Sequence, residues 1–285
     1  MKGYQKILTL VLVGLVSLAG CAKLDLGTME TAAEPTDQES IKLGIMGDDT
    51  SLWEPVQERL KAQGISLDLF KFTSYDQANK DLLNGQIDVN ASQTKAYLEN
   101  FNTKRKAKLA PIGNTMFSPL GLYSHKVDHL DDLRIKARLV IPKDPTNAGR
   151  ALKLLEEAGL ITLKENLEGE PTLKDIQDNP KQFKIDQVEA DKTPPELTKA
   201  DAVVINTNFA LEAKMDPVQD ALVREDLAEE EAAAYVQVLA VRAEEADDPR
   251  YQKLVDAFQA SDVAARIKEI SKGASQAAWE TFGRQ

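Results

Sequence analysis

The residues best able to do chemistry in this chain lie in the run Pro142-Lys143-Asp144-Pro145-Thr146-Asn147-Ala148-Gly149-Arg150. The run follows an apolar, strand-like stretch, Leu139-Val140-Ile141, and opens an amphipathic helix carrying Leu152, Leu154, Leu155 and Ala158. A helix start has unpaired N–H groups and the positive end of the peptide dipole. An arginine in the first turn adds a planar fork of donors. Together they make a receptor for a small carboxylate. The same residues also fit an arginine on a solvated helix face, with Thr146 or Asn147 as a simple N-cap. Asn206, at the end of the strand-like run Asp201–Asn206, brings a second amide. Asn and Arg donate to a carboxylate, and Asn also accepts from an ammonium. Tyr75, Tyr97 and Phe117 are candidates for an apolar wall, with Gln93, Thr94 and Gln237 near strand ends or helix starts. Each aromatic alone would serve equally as core.

Other chemistries find little support. His125 and His129 are the only histidines, and no Glu accompanies them in a zinc-protease pattern. Ser118 and Ser124 lack the Gly-flanked elbow of hydrolases. Gly-rich phosphate loops are absent. Asp48-Asp49 could meet a cation, but adjacent acids in a polar loop are ordinarily solvated. No catalytic set, metal site or cofactor site emerges, so the expected protein is a binder and not an enzyme.

The elements that must position these residues follow from hydrophobic period. Ile41–Met46 reads as a buried first strand, followed by a helix with Trp53, Val56 and Leu60 on one face. Ile65, Leu67 and Leu69 alternate in a second strand, and Ser74 can cap the next helix. Ile87–Ala91 is a third strand, with a third helix from Gln93 to Asn100. Strands interleaved with single helices imply a mostly parallel sheet. The pattern restarts after Ser124, with strands at Leu139 and Phe183–Val188, a buried strand Asp201–Asn206 and a late strand Tyr235–Val241. This predicts an α/β protein of two lobes, the second inserted into the first. Lobe 1 would take residues 40–124 and 208–285, and lobe 2 residues 125–207. A ligand would sit between the lobes, at the carboxyl ends of the strands.

The N-terminus carries its own signals. Lys2 and Lys6 precede an apolar run from Ile7 to Ala19 that ends in Leu18-Ala19-Gly20-Cys21. The run is shorter than the ~20 residues of a membrane span and reads as a secretory leader over residues 1–20. Leu-Ala-Gly-Cys resembles the bacterial lipobox, which would make Cys21 the lipidated residue. Cys21 is the only cysteine, which excludes an internal disulfide and a Cys-based metal site. Residues 21–39 are small and polar and read as a flexible tether. The chain would thus be lipid-anchored in the cell membrane on its extracytoplasmic face, periplasmic or cell-surface. The net charge is -11, becoming about -13 once the leader lysines are removed. With no basic cluster interleaved with aromatics, nucleic-acid binding is not expected.

Several motifs then carry a resemblance: Phe72-Thr73-Ser74-Tyr75, Gly113-Asn114-Thr115, Asp144 through Arg150, Ala158-Gly159-Leu160-Ile161 and Val204-Ile205-Asn206-Thr207. From about Ile41 to about Ser271 the chain resembles the lipid-anchored methionine-binding proteins of bacterial ABC importers, the NlpA/MetQ-type lipoproteins. The resemblance implies a two-lobed periplasmic-binding-protein fold, type II-like, that closes on an amino acid. It implies that Arg150 pairs with the ligand carboxylate, helped by Asn147, and that Asn206 holds the amino-acid backbone. Tyr75 and Asn79 match first-lobe cleft positions, and Tyr97 matches the tyrosine of the helix after the third strand. An ABC permease and its ATPase would be the partners. The departures lie in Ser92-Gln93-Thr94-Lys95-Ala96-Tyr97, where the family commonly has Phe-Gln-His-Lys-Pro-Tyr, and at Gln237, where an Asn is usual. Ser92 removes apolar contact worth ~1.5–3 kcal/mol if buried, so a larger or more polar pocket is expected, with Trp53 as a possible replacement wall. The functional expectation is capture of methionine or a related small amino-acid derivative for import. The alternative is a surface lipoprotein used for adhesion or interaction without transport.

Overall fold

Period-two burial organises both halves of the molecule. The computed structural model describes residues 39–285; the expected leader, Cys21 and the tether up to residue 38 lie outside the described residues. Strand β1 (Glu39–Met46) buries Ile41, Leu43 and Ile45 on one face. It pairs in parallel with β2 (Ile65–Phe72) and with β3 (Val89–Thr94). Beyond β3 lies β13 (Gln237–Arg242), antiparallel to it, and then β4 (Leu109–Asn114), giving the order β2-β1-β3-β13-β4. In β13, Leu239 and Val241 face a core with the helices α1 (Glu54–Lys61), α8 (Pro249–Phe258) and α9 (Ser261–Ile270). Val238 and Ala240 face the other way, toward α2 (Tyr75–Leu83) and α3 (Lys95–Arg105).

The second sheet has the order β10 (Lys184–Val188), β7 (Arg138–Pro142), β11 (Ala202–Asn206), β6 (Leu120–Tyr123) and β12 (Ala221–Arg224). The first three run parallel, and β6 is antiparallel to both of its neighbours. Ala202 and Val204 pack on α4 (Pro145–Glu157), whereas Val203 and Ile205 pack on the side of α6 (Thr207–Glu212). Two small ribbons complete the sheets, β5 (Met116–Phe117) with β14 (Gln276–Ala277) and β8 (Thr162–Leu163) with β9 (Ile176–Asp178). Single turns of helix form at α5 (Thr193–Glu196), α7 (Glu229–Ala232) and α10 (Ala278–Thr281).

The chain crosses between sheets at 115–119 and returns at 225–236. The sequence placed these crossings near Tyr123-Ser124 and after Asn206. The difference has a physical origin. β12 is an edge strand antiparallel to β6, and neither strand leads directly into a long helix, so in sequence both read as connections. The strands of the second sheet therefore span 120–224, more than the expected 125–207.

Two helix starts also shift. The N-cap of α4 is Asp144, not Thr146 or Asn147: its Oδ1 accepts the Asn147 N–H at 2.9 Å, and Pro145 fills the first helical position. Helix α3 starts at Lys95, because Thr94 ends β3 and caps the helix by accepting the Tyr97 N–H at 3.2 Å.

Candidate functional site

A cavity of ≈470 Å³ lies between the two sheets. Its walls come from the loop after β1, the end of β3, the first turns of α4 and the junction of β11 with α6. These are carboxyl ends of strands, where open α/β sheets present ligand sites. Gly47 allows the turn out of β1 at φ 78°, and a Cβ there would collide with the Glu212 carboxylate.

On the second-lobe wall, one carboxylate sets the direction of a chain of amides. Asp144 accepts both hydrogen bonds it receives from Asn147 Nδ2, each at 3.0 Å. Asn147 must then present its Oδ1 outward, where it accepts from Asn206 Nδ2 at 2.9 Å. Asn206 Oδ1 is left buried without a partner among the described residues. Burial and the nearby Glu189 raise the Asp144 carboxyl above its ordinary range, opposed by the bonds from Asn147. Next to Asn206, Asn208 Oδ1 accepts from Tyr75 OH at 2.8 Å across the cleft, and its Nδ2 has no partner among the described residues. The wall thus offers one unpaired acceptor and one unpaired amide donor.

Arg150 lines the same cavity, but its fork is largely occupied. Nε donates to Glu225 Oε1 at 3.0 Å, and Nη2 donates to Glu225 Oε2 at 2.5 Å and to the Ser118 carbonyl at 3.1 Å. Of the five guanidinium hydrogens, the two on Nη1 have no hydrogen-bond partner among the described residues. The Tyr235 ring lies 4.5 Å from the guanidinium carbon.

The first-lobe wall is built differently. Asn79 and Gln93 exchange side-chain hydrogen bonds, Asn90 donates to Asn79 Oδ1 at 2.8 Å, and Ser92 donates through N and Oγ to Asn90 Oδ1. Gln93 and Ser92 line the cavity, whereas Asn79 is fully buried beneath them. Thr94 and Tyr97 line it as well, and Gln237 lines it while donating to Ser118 Oγ at 3.3 Å. Tyr75 packs edge-on against Tyr97 and, across the cleft, at a tilt against Phe209. Burial raises both tyrosine hydroxyls well above their ordinary value, and Asp144 adds to the effect. Phe117 does not line the cavity: it sits between Met116 and Ser118, which do, so strand alternation turns its ring away. Trp53 contributes to the wall and also packs on Phe258 in the core, at 4.9 Å between ring centroids.

Asp48, Asp49, Glu212 and Lys214 also line the cavity. Asp48 lies 3.5 Å from Lys71, and Asp49 accepts the Ser51 N–H. No group of three or more His, Cys, Asp or Glu gathers as a metal site among the described residues. His125 and His129 are both exposed, away from the cavity wall.

The sequence reading missed Ser118, Asn208, Glu225 and Tyr235. For Glu225 there was only the general rule that a buried arginine needs a buried counter-charge. Nothing local identifies which carboxylate supplies it.

Two sheets joined by two crossings, with a cavity that presents polar side chains at their strand ends, form the architecture of a two-lobed binding protein. The chain belongs to the family described as NlpA lipoprotein, whose pattern matches residues 41–279. It is 33% identical over 272 residues to the D-methionine-binding lipoprotein MetQ of Escherichia coli strain K12, covering 94% of this chain and 95% of that protein. Its structure resembles a nutrient binding protein from Burkholderia cenocepacia bound to methionine, with a TM-score of 0.79 and 38% identity over 84% of this chain and 99% of that one. It resembles equally an ABC transporter periplasmic substrate-binding protein from Coxiella burnetii, with a TM-score of 0.78 and 34% identity over 84% of this chain and all 100% of that one. The protein is accordingly a lipoprotein of the ABC-transporter substrate-binding kind, and its family is not one of enzymes.

Proposed function

We propose that this protein captures an amino acid, or a small amino-acid derivative with a free carboxylate, by closure of its two lobes and delivers it to an ABC permease and its ATPase. Cys21 would carry the lipid anchor and hold the protein at the extracytoplasmic face of the membrane. The observation behind this reading is the unpaired bonding capacity in one cavity. Asn206 Oδ1 accepts, as an ammonium requires, while Arg150 Nη1 and Asn208 Nδ2 donate, as a carboxylate requires. The lobes already touch at Tyr75–Asn208 and at Asn100–Thr146, so a ligand would stabilise contacts the fold can make. Methionine is the reference ligand because relatives bind it. Ser92, Thr94 and Gln237 favour a ligand that is bulkier or more polar at its side-chain end.

Thermal-shift measurements against the amino acids and short peptides test this reading. At least one zwitterionic compound should stabilise the wild type, and Arg150→Ala should abolish that shift. Equal stabilisation of the variant would remove Arg150 from ligand binding. No stabilisation by any compound would favour an interaction module over a transport protein.

A further inference from the structure

Arg150 is boxed in by groups that all lie on the two crossings between sheets. The Ser118 carbonyl belongs to the first, while Glu225 and Tyr235 stand near the two ends of the second. The Arg150 and Glu225 side chains are 3% and 1% exposed. Glu225 also accepts the Leu120 N–H through Oε2 at 2.6 Å, so its carboxylate is fixed from both sides. Such a bidentate, buried pair has no net charge at the anchor. The remaining charged groups on the cavity wall are three carboxylates, Asp48, Asp49 and Glu212, against one lysine, Lys214. A simple carboxylate entering the cleft would meet a neutral anchor and a predominantly acidic surround. A zwitterion brings an ammonium that suits both the surround and Asn206 Oδ1.

We propose that Glu225 is a specificity-determining positioning residue. By neutralising Arg150 and leaving only Nη1 to the cleft, it selects ligands carrying both an ammonium and a carboxylate over ligands carrying a carboxylate alone. This rests on the amino-acid reading above. Glu225 acts through Arg150 and does not itself line the cavity.

The test uses the whole protein and calorimetric titration with two probes, L-methionine and its desamino analogue, a (methylthio)butanoate. Wild type should bind the first and discriminate against the second. Glu225→Gln keeps the shape and an acceptor for Leu120 N–H but leaves Arg150 charged. It should move the affinity ratio about ten-fold toward the desamino acid. Glu225→Asp keeps the charge and should weaken both probes while preserving the wild-type ratio. An unchanged ratio in Glu225→Gln, or a shifted one in Glu225→Asp, would overturn the proposal. Arginine Nε–H exchange in the ligand-free protein gives a readout that needs no ligand. One slowly exchanging signal, assigned through its loss in Arg150→Lys, should exchange at least about ten-fold faster in Glu225→Gln. An unaltered rate would show that Glu225 does not hold the fork. Wild type binding no probe while this signal responds would defeat the amino-acid reading and leave the positioning role standing.

Discussion

The two walls of the cleft use the same residue types to opposite ends. On the second-lobe wall, Asp144 orients Asn147, Asn147 orients Asn206, and the chain ends in an acceptor with no partner. On the first-lobe wall, Asn79, Asn90, Ser92 and Gln93 bond to one another. Buried amides are costly without partners. A closed set therefore stabilises its own lobe, whereas an open-ended one keeps a bonding capacity that a ligand can fill. Polar composition alone does not make a recognition surface; what counts is the valence left over after the protein has bonded to itself.

The sharpest way to break this comparison is at Arg150. Arg150→Ala removes the proposed ligand donor and leaves Glu225 buried without its counter-charge. We expect a loss of ~3–5 kcal/mol in denaturant-measured stability, with ligand affinity falling by about a hundred-fold. Stability equal to wild type would contradict the account of the buried pair. The first-lobe counterpart is Gln93→Ala, which strands the Asn79 amide. It should cost ~1–3 kcal/mol of stability with a much smaller change in affinity, measured by denaturation and calorimetry side by side. A large affinity loss at unchanged stability would merge the two walls into one.

Asp144→Ala should separate capping from recognition. The lost cap costs about 1 kcal/mol, and the freed Asn147 and Asn206 should cost about a ten-fold loss of affinity, as for one hydrogen bond to a charged group. A cap-sized stability loss with unchanged affinity would show that the amide relay does not reach the ligand.

The smallest effect concerns Glu212. Burial raises its carboxyl above its ordinary value of 4.5, with Asp48 and Asp191 adding to the effect. The folded state therefore favours its protonated form. Glu212 costs nothing below its unfolded-state titration, and its cost grows as pH rises through the folded-state titration. Glu212→Gln should raise the thermal midpoint slightly at neutral pH and leave it unchanged near pH ~4. An equal rise at both would point to packing rather than charge.

How far the molecule was legible in its sequence follows the same division. The second-lobe wall was readable because its residues sit at strand–helix junctions, where Asp-Pro-Thr-Asn and Ile-Asn-Thr carry local signals for caps and turns. Even there, the capping role passed from Thr146 or Asn147 to Asp144, since only the structure shows which side chain reaches the free N–H. Both lobes were visible in hydrophobic period, but the crossings were misplaced because the antiparallel strands β6 and β12 lack the helix that marks a strand–helix unit. The Arg150–Glu225 pair was not legible at all: its partners are 75 residues apart, and no local pattern couples them. Phe117 was misread for a simpler reason, since one step along a strand reverses the face a side chain presents.

The central claim is that the second-lobe wall reads both ends of an amino-acid head group. Calorimetric titration of the wild-type protein with L-methionine, L-methioninol and the desamino analogue tests it most directly. The account predicts that methionine binds and that each clipped compound, lacking carboxylate or ammonium, binds at least about ten-fold more weakly. Equal affinity for all three would contradict it.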